Sequence, residues 1–326
     1  LFCAKRETIV RPVNLSLEGT AARDAASVCE VMVDCLAFNF SPVAIFRFAM
    51  ELVQVKNLRK SYADYQRDPF VAVESLSFSA KAGEVFGLLG PNGAGKTTAL
   101  RILATVLQPT SGQAFISNFD VVSQAEMVRC SIGFVSNNTA IYDRMTAWEM
   151  VEFFGRLYCV PISRLRERME VLFAQLKMTD FRDCPGARMS TGMKQKVSIA
   201  RALIHDPPVL IFDEPTLGLD VLATRALHQI IIDLRDQGKC ILFSTHIMRE
   251  VERLCDRVAI MNRGQVLDSG SLSELSERHK TSDFEELFYQ LIMASEQSRS
   301  RAAKSGIWFE DLGMPGVAPI NTTGGM

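Results

Sequence analysis

The chain has almost no net charge. Its 326 residues set 36 Lys plus Arg against 37 Asp plus Glu, a formal −1. So even a balance gives no bulk electrostatic pull toward nucleic acid, and no nucleic-acid partner is expected. Long apolar runs are also missing. Crossing a bilayer as a helix takes about 18 or more consecutive apolar residues, and the nearest candidate, LAFNFSPVAIFRFAM, is broken by Asn39, Pro42 and Arg47. No small-residue cleavage site follows it, so it does not read as a secretory signal. The eight cysteines form no C-x-x-C pair and have no histidine at ligand spacing, which argues against zinc. Scattered through so long a chain, they read as buried thiols of a reducing compartment, and the chain as cytoplasmic. What remains is ordinary globular composition, 48% hydrophobic and 22% charged, enough for one large domain or two modest ones.

The first 49 residues stand apart from the rest. Val28, Val31, Met32, Cys35 and Leu36 have helical spacing. The segment reads either as a docking helix or, preferably, as an extension ahead of a true start at Met50. From Met50 the pattern is regular. ELVQVKNL and VAVESLSFSA alternate as strands do. EVFGLLG is a short apolar strand running into PNGAGKTTALRILATVL, a sharp turn into a helix. GQAFISNFD is expected as one strand, and residues 147–158 and 163–178 as helices with no strand between them. PVLIFDEP and KCILFST read as buried strands around the helix VLATRALHQIIIDLRDQG. IMREVERLC reads as a helix, and RVAIMNRGQVLDSG as a hairpin turning at Arg263–Gly264. Strand–helix alternation of this kind implies an α/β fold with a mainly parallel sheet. The Gly- and Pro-rich end, 301–326, is expected to be disordered.

Two motifs carry chemistry. Gly90-Pro91-Asn92-Gly93-Ala94-Gly95-Lys96-Thr97 fits the phosphate loop G-x-x-x-x-G-K-[ST], with a strand before it and a helix after it. Glycines let the backbone curl so that successive N–H groups face phosphate oxygens. Lys96 would reach the terminal phosphates and Thr97 would ligate Mg²⁺. Then VLIFDEP ends a buried strand at Asp213, and ligands of parallel sheets bind at such carboxyl ends. Asp213 can hold Mg²⁺ through water, and Glu214 can orient an attacking water as general base. By themselves the two carboxylates could equally cap the next helix; the phosphate loop favours the catalytic reading. Ser190, Thr191 and Gly192 form a second anion-binding junction, just ahead of a helix expected over Lys194 to His205.

With these motifs, residues Met50 to Leu275 resemble the ATP-binding cassette (ABC) family. GPNGAGKTT, which includes Thr98, looks like its Walker A loop and VLIFDEPT like its Walker B strand. MSTGMKQKVSIARAL looks like the signature, LGLD ending at Asp220 like the D-loop, and STHIMREVE carries the switch residue His246. Tyr62 sits where the family stacks an aromatic ring on adenine, with Tyr65 as its rival. His246 could instead be a capping or core histidine. The resemblance implies an α/β P-loop NTPase cassette at 50–275, with a parallel core, an antiparallel β subdomain and a helical subdomain near 137–195. A C-terminal helix at 276–300 would follow. It also implies ATP and Mg²⁺ as ligands, and a second cassette as partner. Each nucleotide would lie between the Walker A of one copy and Ser190 and Gly192 of the other.

The signature departs from the family pattern at Thr191 and Met193, and Asn137 falls where the family keeps a metal-side glutamine one methylene longer. No long coiled coil separates Lys96 from Ser190, unlike the repair ATPases of the superfamily, and a single cassette argues against the translation factors. The resemblance is strongest to the sodium-export (NatA-type) group. It implies an ATPase subunit held on the inner face of the membrane by a separate permease. A non-transport ABC ATPase acting in translation or on DNA is the alternative.

Overall fold

The computed structural model describes residues 50–63, 70–136, 141–281 and 283–305, with side chains to residue 298. The expected N-terminal extension, Tyr65, Asn137 and residues 306–326 lie outside these. In chain order the elements are β1 (Glu51–Tyr62), β2 (Phe70–Lys81), β3 (Val85–Leu89), α1 (Lys96–Leu103), β4 (Ser111–Ile116) and β5 (Phe119–Asp120). There follow α2 (Ala125–Ser131), β6 (Ile132–Ser136), α3 (Ala147–Leu157), α4 (Ile162–Gln175), α5 (Thr191–Leu203), β7 (Val209–Asp213) and α6 (Val221–Asp236). The last are β8 (Cys240–Thr245), α7 (Met248–Leu254), β9 (Arg257–Asn262), β10 (Gln265–Ser271), α8 (Leu272–His279) and α9 (Phe284–Ser305).

The strands form two sheets. One is antiparallel, in the order β2-β1-β4-β5; the other runs β10-β9-β3-β8-β7-β6 and is parallel except for β10. The central strands are buried on both faces, and their side chains alternate between two cores as the strand period demands. Leu89, Phe212, Phe243 and Ile260 enter the core shared with α3 to α7. Phe86, Leu88, Ile211, Leu242 and Met261 enter the core shared with α1 and the antiparallel sheet. Each such side chain contributes about 1.5–3 kcal/mol by leaving water. The buried thiols of Cys240 and Cys255 belong to these layers, and burial pushes both well above the ordinary thiol range.

Several expectations change. The stretch expected as one strand breaks at Ser117 and Asn118, both left-handed (φ 50° and 68°), into the hairpin of β4 and β5. The signature helix starts at Thr191, three residues earlier than its apolar periodicity suggested, because the Ser190 hydroxyl caps it by accepting the Met193 N–H at 3.3 Å. β6 and α2 had no distinct sequence signal. The C-terminal region expected as one helix over 276–300 is two, α8 and α9, the first ending at the left-handed Lys280 (φ 54°) and the second running to Ser305. The β9–β10 turn does fall at Arg263 and Gly264, both at positive φ (46° and 83°), as a two-residue hairpin requires. α3 also begins as its TAWE sequence dictates. Thr146 accepts the Glu149 N–H at 3.2 Å and Glu149 accepts the Thr146 N–H at 2.8 Å.

Candidate active site

The site gathers at the carboxyl ends of β3, β7 and β8. β3 delivers the phosphate loop. Its backbone needs glycine at defined points: Gly95 has φ 101°, and a Cβ there would lie 2.2 Å from the Ala72 carbonyl oxygen. At Gly90 a Cβ would lie 2.3 Å from the Met261 carbonyl oxygen. The loop is braced from outside, since the Gly264 N–H donates to the Ala94 carbonyl at 2.9 Å. α1 then starts at Lys96 with no side-chain cap and no acid in its first turn. Its leading N–H groups are therefore left for an anion.

Lys96 is 4% exposed, and its Nζ donates to the Gly90 and Pro91 carbonyls at 2.7 and 3.1 Å. The same ammonium lies 3.2 Å from Glu214 Oε1. Thr97 Oγ1 donates to Asp213 Oδ1 at 3.0 Å. Asp213 is in register with Ser244 on the neighbouring strand, and Ser244 Oγ donates to the same oxygen at 2.8 Å. Glu214 follows in a left-handed conformation (φ 46°), which swings its carboxylate off the strand direction. Its N–H donates to Ser244 Oγ at 3.0 Å, and its Oε1 lies 3.6 Å from His246 Nδ1. The Thr97 hydroxyl and Asp213 carboxylate are hard oxygen donors brought together, a set that fits a magnesium-sized cation.

An open cavity of about 260 Å³ lies over this cluster. Asn92, Gly93, Gly95, Lys96, Thr97, Thr98 and Glu214 line it, together with Phe70 and Ala72 of β2. Tyr62 is not part of that lining. Its ring lies at the outer end of β1 with the Lys60 ammonium 5.1 Å from its centre, and its cross-strand partner Phe70 takes the cavity wall instead. Sequence reasoning missed Phe70 and Ser244. A serine in the strand that leads into His246 was the available signal for the second; nothing local marked the first. Ser190 and Gly192 do not line the cavity either. Ser190 stands exposed at the N-terminus of α5. Asp220 caps α6, accepting the Ala223 N–H at 2.8 Å.

This geometry has relatives. The ABC transporter family model matches residues 73–217. The chain is 43% identical over 218 residues to the ABC transporter ATP-binding protein NatA of Bacillus subtilis (strain 168), covering 67% of this chain and 89% of that protein. It is 37% identical over 224 residues to the Nod factor export ATP-binding protein I of Ralstonia nicotianae, covering 69% of this chain and 68% of that protein. Among solved structures it is similar to a dimeric bacterial ABC transporter cassette, at 26% identity and a TM-score of 0.61, over 67% of this chain and 98% of the other.

Proposed function

The chain belongs to the ABC transporter family as an ATP-binding, ATP-hydrolysing subunit, and from that premise we propose that two copies pair head to tail and drive export through a separate membrane permease. Among the described residues no helix is long and apolar enough to cross a membrane. The cassette would therefore dock on the permease at the inner face of the membrane. Sodium as the cargo follows from the resemblance to the NatA-type group, and export also from the likeness to the Nod factor export protein of Ralstonia.

One observation carries the reading. Lys96, Thr97 and Glu214 line a single cavity, with Asp213 bonded to Thr97 and His246 beside Glu214, while Ser190 and Gly192, the other half of a nucleotide site, do not line it. A second copy brings its α5 N-terminus to that cavity, where free N–H groups and the Ser190 hydroxyl suit a terminal phosphate. The phosphate loop and Lys96 hold the nucleotide's phosphates, and Phe70, in the cavity wall, bounds the side where the base lies. Thr97 and Asp213 would hold Mg²⁺, with Asn137 as the further ligand that the family resemblance implies, and the ion would supply charge neutralisation at the terminal phosphates. When phosphate oxygens engage the Lys96 ammonium, Glu214 is freed to take a proton from water. The water oxygen bonds to the terminal phosphorus as its bond to the bridging oxygen breaks, giving ADP and inorganic phosphate. His246, beside Glu214, donates a hydrogen bond to the terminal phosphate and reports its loss. Asp220 sits at the seam as the cap of α6.

The test is Glu214→Gln in the full chain. ATP binding stays within about twofold, turnover falls by about 10²- to 10⁴-fold, and an ATP-held dimer accumulates in size-exclusion chromatography. Normal turnover by this variant removes Glu214 as the base.

A further inference from the structure

β8 ends in two adjacent hydroxyls, and the strand period sends them to opposite faces of the sheet. Ser244 faces the phosphate loop and holds Asp213. Thr245 faces the other core, where its Oγ1 donates to Glu250 Oε2 at 2.5 Å and accepts the Ile247 N–H at 3.0 Å. The residues on both sides of His246 thus meet at the Thr245 hydroxyl, which is itself tied to one carboxylate. Glu250 is 4% exposed, a costly place for a charge without partners. Its partners come from three elements. Besides Thr245 of β8 there is the buried Thr216, in the loop two residues past Glu214, which lines one cavity together with Glu250 and His228. From α6, His228 Nε2 lies 3.6 Å from Glu250 Oε1. That is ion-pair range rather than a hydrogen bond, and His228 is itself 6% exposed. Burial pushes the Glu250 carboxyl up, and the His228, Thr245 and Thr216 contacts together outweigh it, so the group stays ionised.

We propose that Glu250 is a positioning residue for ATP hydrolysis, which gathers the loop behind Glu214 and the loop carrying His246 and so sets the 3.6 Å spacing between those two side chains. It touches no part of the nucleotide cavity, whose lining it does not join. It acts through backbone, from the far side of the sheet. Ser244 and Thr245 then divide one strand end between two tasks: one hydroxyl orients the metal-side carboxylate, the other anchors the His246 loop. This inference rests on the roles given above to Glu214 and His246.

The experiment compares Glu250→Ala, Glu250→Gln and Thr245→Val with wild type in the full chain, measuring ATP affinity, KM, kcat and Tm. Misplacing a reacting group by about 1 Å can cost about 10²-fold. Glu250→Ala is expected to lower kcat by about 10- to 100-fold while KM for ATP stays within about twofold. Glu250→Gln, which keeps an acceptor for Thr245, recovers part of that loss. Thr245→Val cuts the same link from the other end while Glu250 keeps its His228 contact, so it reads the effect if Glu250→Ala folds poorly. A double variant, Glu250→Ala with His246→Ala, is expected to lose less than the product of the two single losses, because Glu250 acts in part through the His246 loop. The proposal is overturned if kcat per folded chain is unchanged in both Glu250→Ala and Thr245→Val. Multiplied losses in the double variant, or a loss of ATP affinity matching the loss of kcat, overturn it as well. Glu214→Gln run alongside separates the two readings. If it turns over normally, the assignment of the base fails; if it is inactive while Glu250→Ala runs at full rate, only the positioning role fails.

Discussion

His205 shows what one buried ring does to the whole chain's response to pH. It stacks on Tyr158 with ring centres 3.7 Å apart, and its Nε2 contacts the Ile132 carbonyl at 3.0 Å. Burial drives its pKa from 6.5 down to about 4, with Arg168 and Lys239 adding to the fall while the Ile132 carbonyl and Asp206 oppose it. The folded state thus refuses a proton that the unfolded chain accepts. Stability from this group is fully present above pH 6.5, is lost as pH falls toward 4, and levels off below that. The loss reaches about 2 kcal/mol at pH 5. Urea midpoints at pH 7.5 and 5 check this: wild type falls between them, and His205→Phe lacks that part of the fall. An equal fall in both would show that His205 does not carry the response.

At the scale of elements, the phosphate loop is built by steric exclusion at a few backbone positions. Gly95 and Gly93 both have positive φ, 101° and 81°, but only at Gly95 would a Cβ strike a carbonyl; around Gly93 there is open space. Alanine at Gly93 therefore costs the left-handed strain alone, about 1–2 kcal/mol. Gly95→Ala adds a clash with the Ala72 carbonyl and must move the strand or the loop. Thermal unfolding and nucleotide titration should rank them: Gly95→Ala loses more Tm and at least about tenfold in Kd for ATP, since a 1.4 kcal/mol loss is tenfold. Equal effects would mean that the loop relaxes around the added methyl. The same scale shows where the sequence could be read. The Walker strand, the hairpin at Arg263–Gly264 and the capped start of α3 carry local signals of period, turn and cap. The start of α5 was misplaced because Thr191, Gly192 and Met193 lack helical apolar spacing, whereas its cap depends on where the Ser190 hydroxyl points.

For the whole molecule, the proposed pair makes two sites, each built from both chains. A Lys96→Ala chain lacks one half of a site and a Ser190→Arg chain lacks the other. Each variant alone should be inactive. Mixed in equal amounts, half the dimers would be hybrids with one whole site, so the mixture should regain about a quarter of the wild-type rate. A mixture no faster than its parts counts against sites shared between copies. The exposed Leu217, Val221 and Leu222 beside the Asp220 cap suit such a seam, for apolar side chains this open to water gain by being covered.

The amino-acid sequence by itself determined the α/β class, the phosphate loop and the strand that ends at Asp213, because each is written in a short window: a two-residue period, glycines at set intervals, a carboxylate closing an apolar run. Only the tertiary structure decided which side chains meet from different windows. Ser244 reaches Asp213 because β7 and β8 are neighbours in register, Phe70 takes the cavity wall because β2 folds back on β1, and Glu250 collects Thr216, Thr245 and His228 from three elements. Period tells a strand that it has two faces. It does not tell it which neighbour lies on each, and that choice is made by the packing of the whole chain.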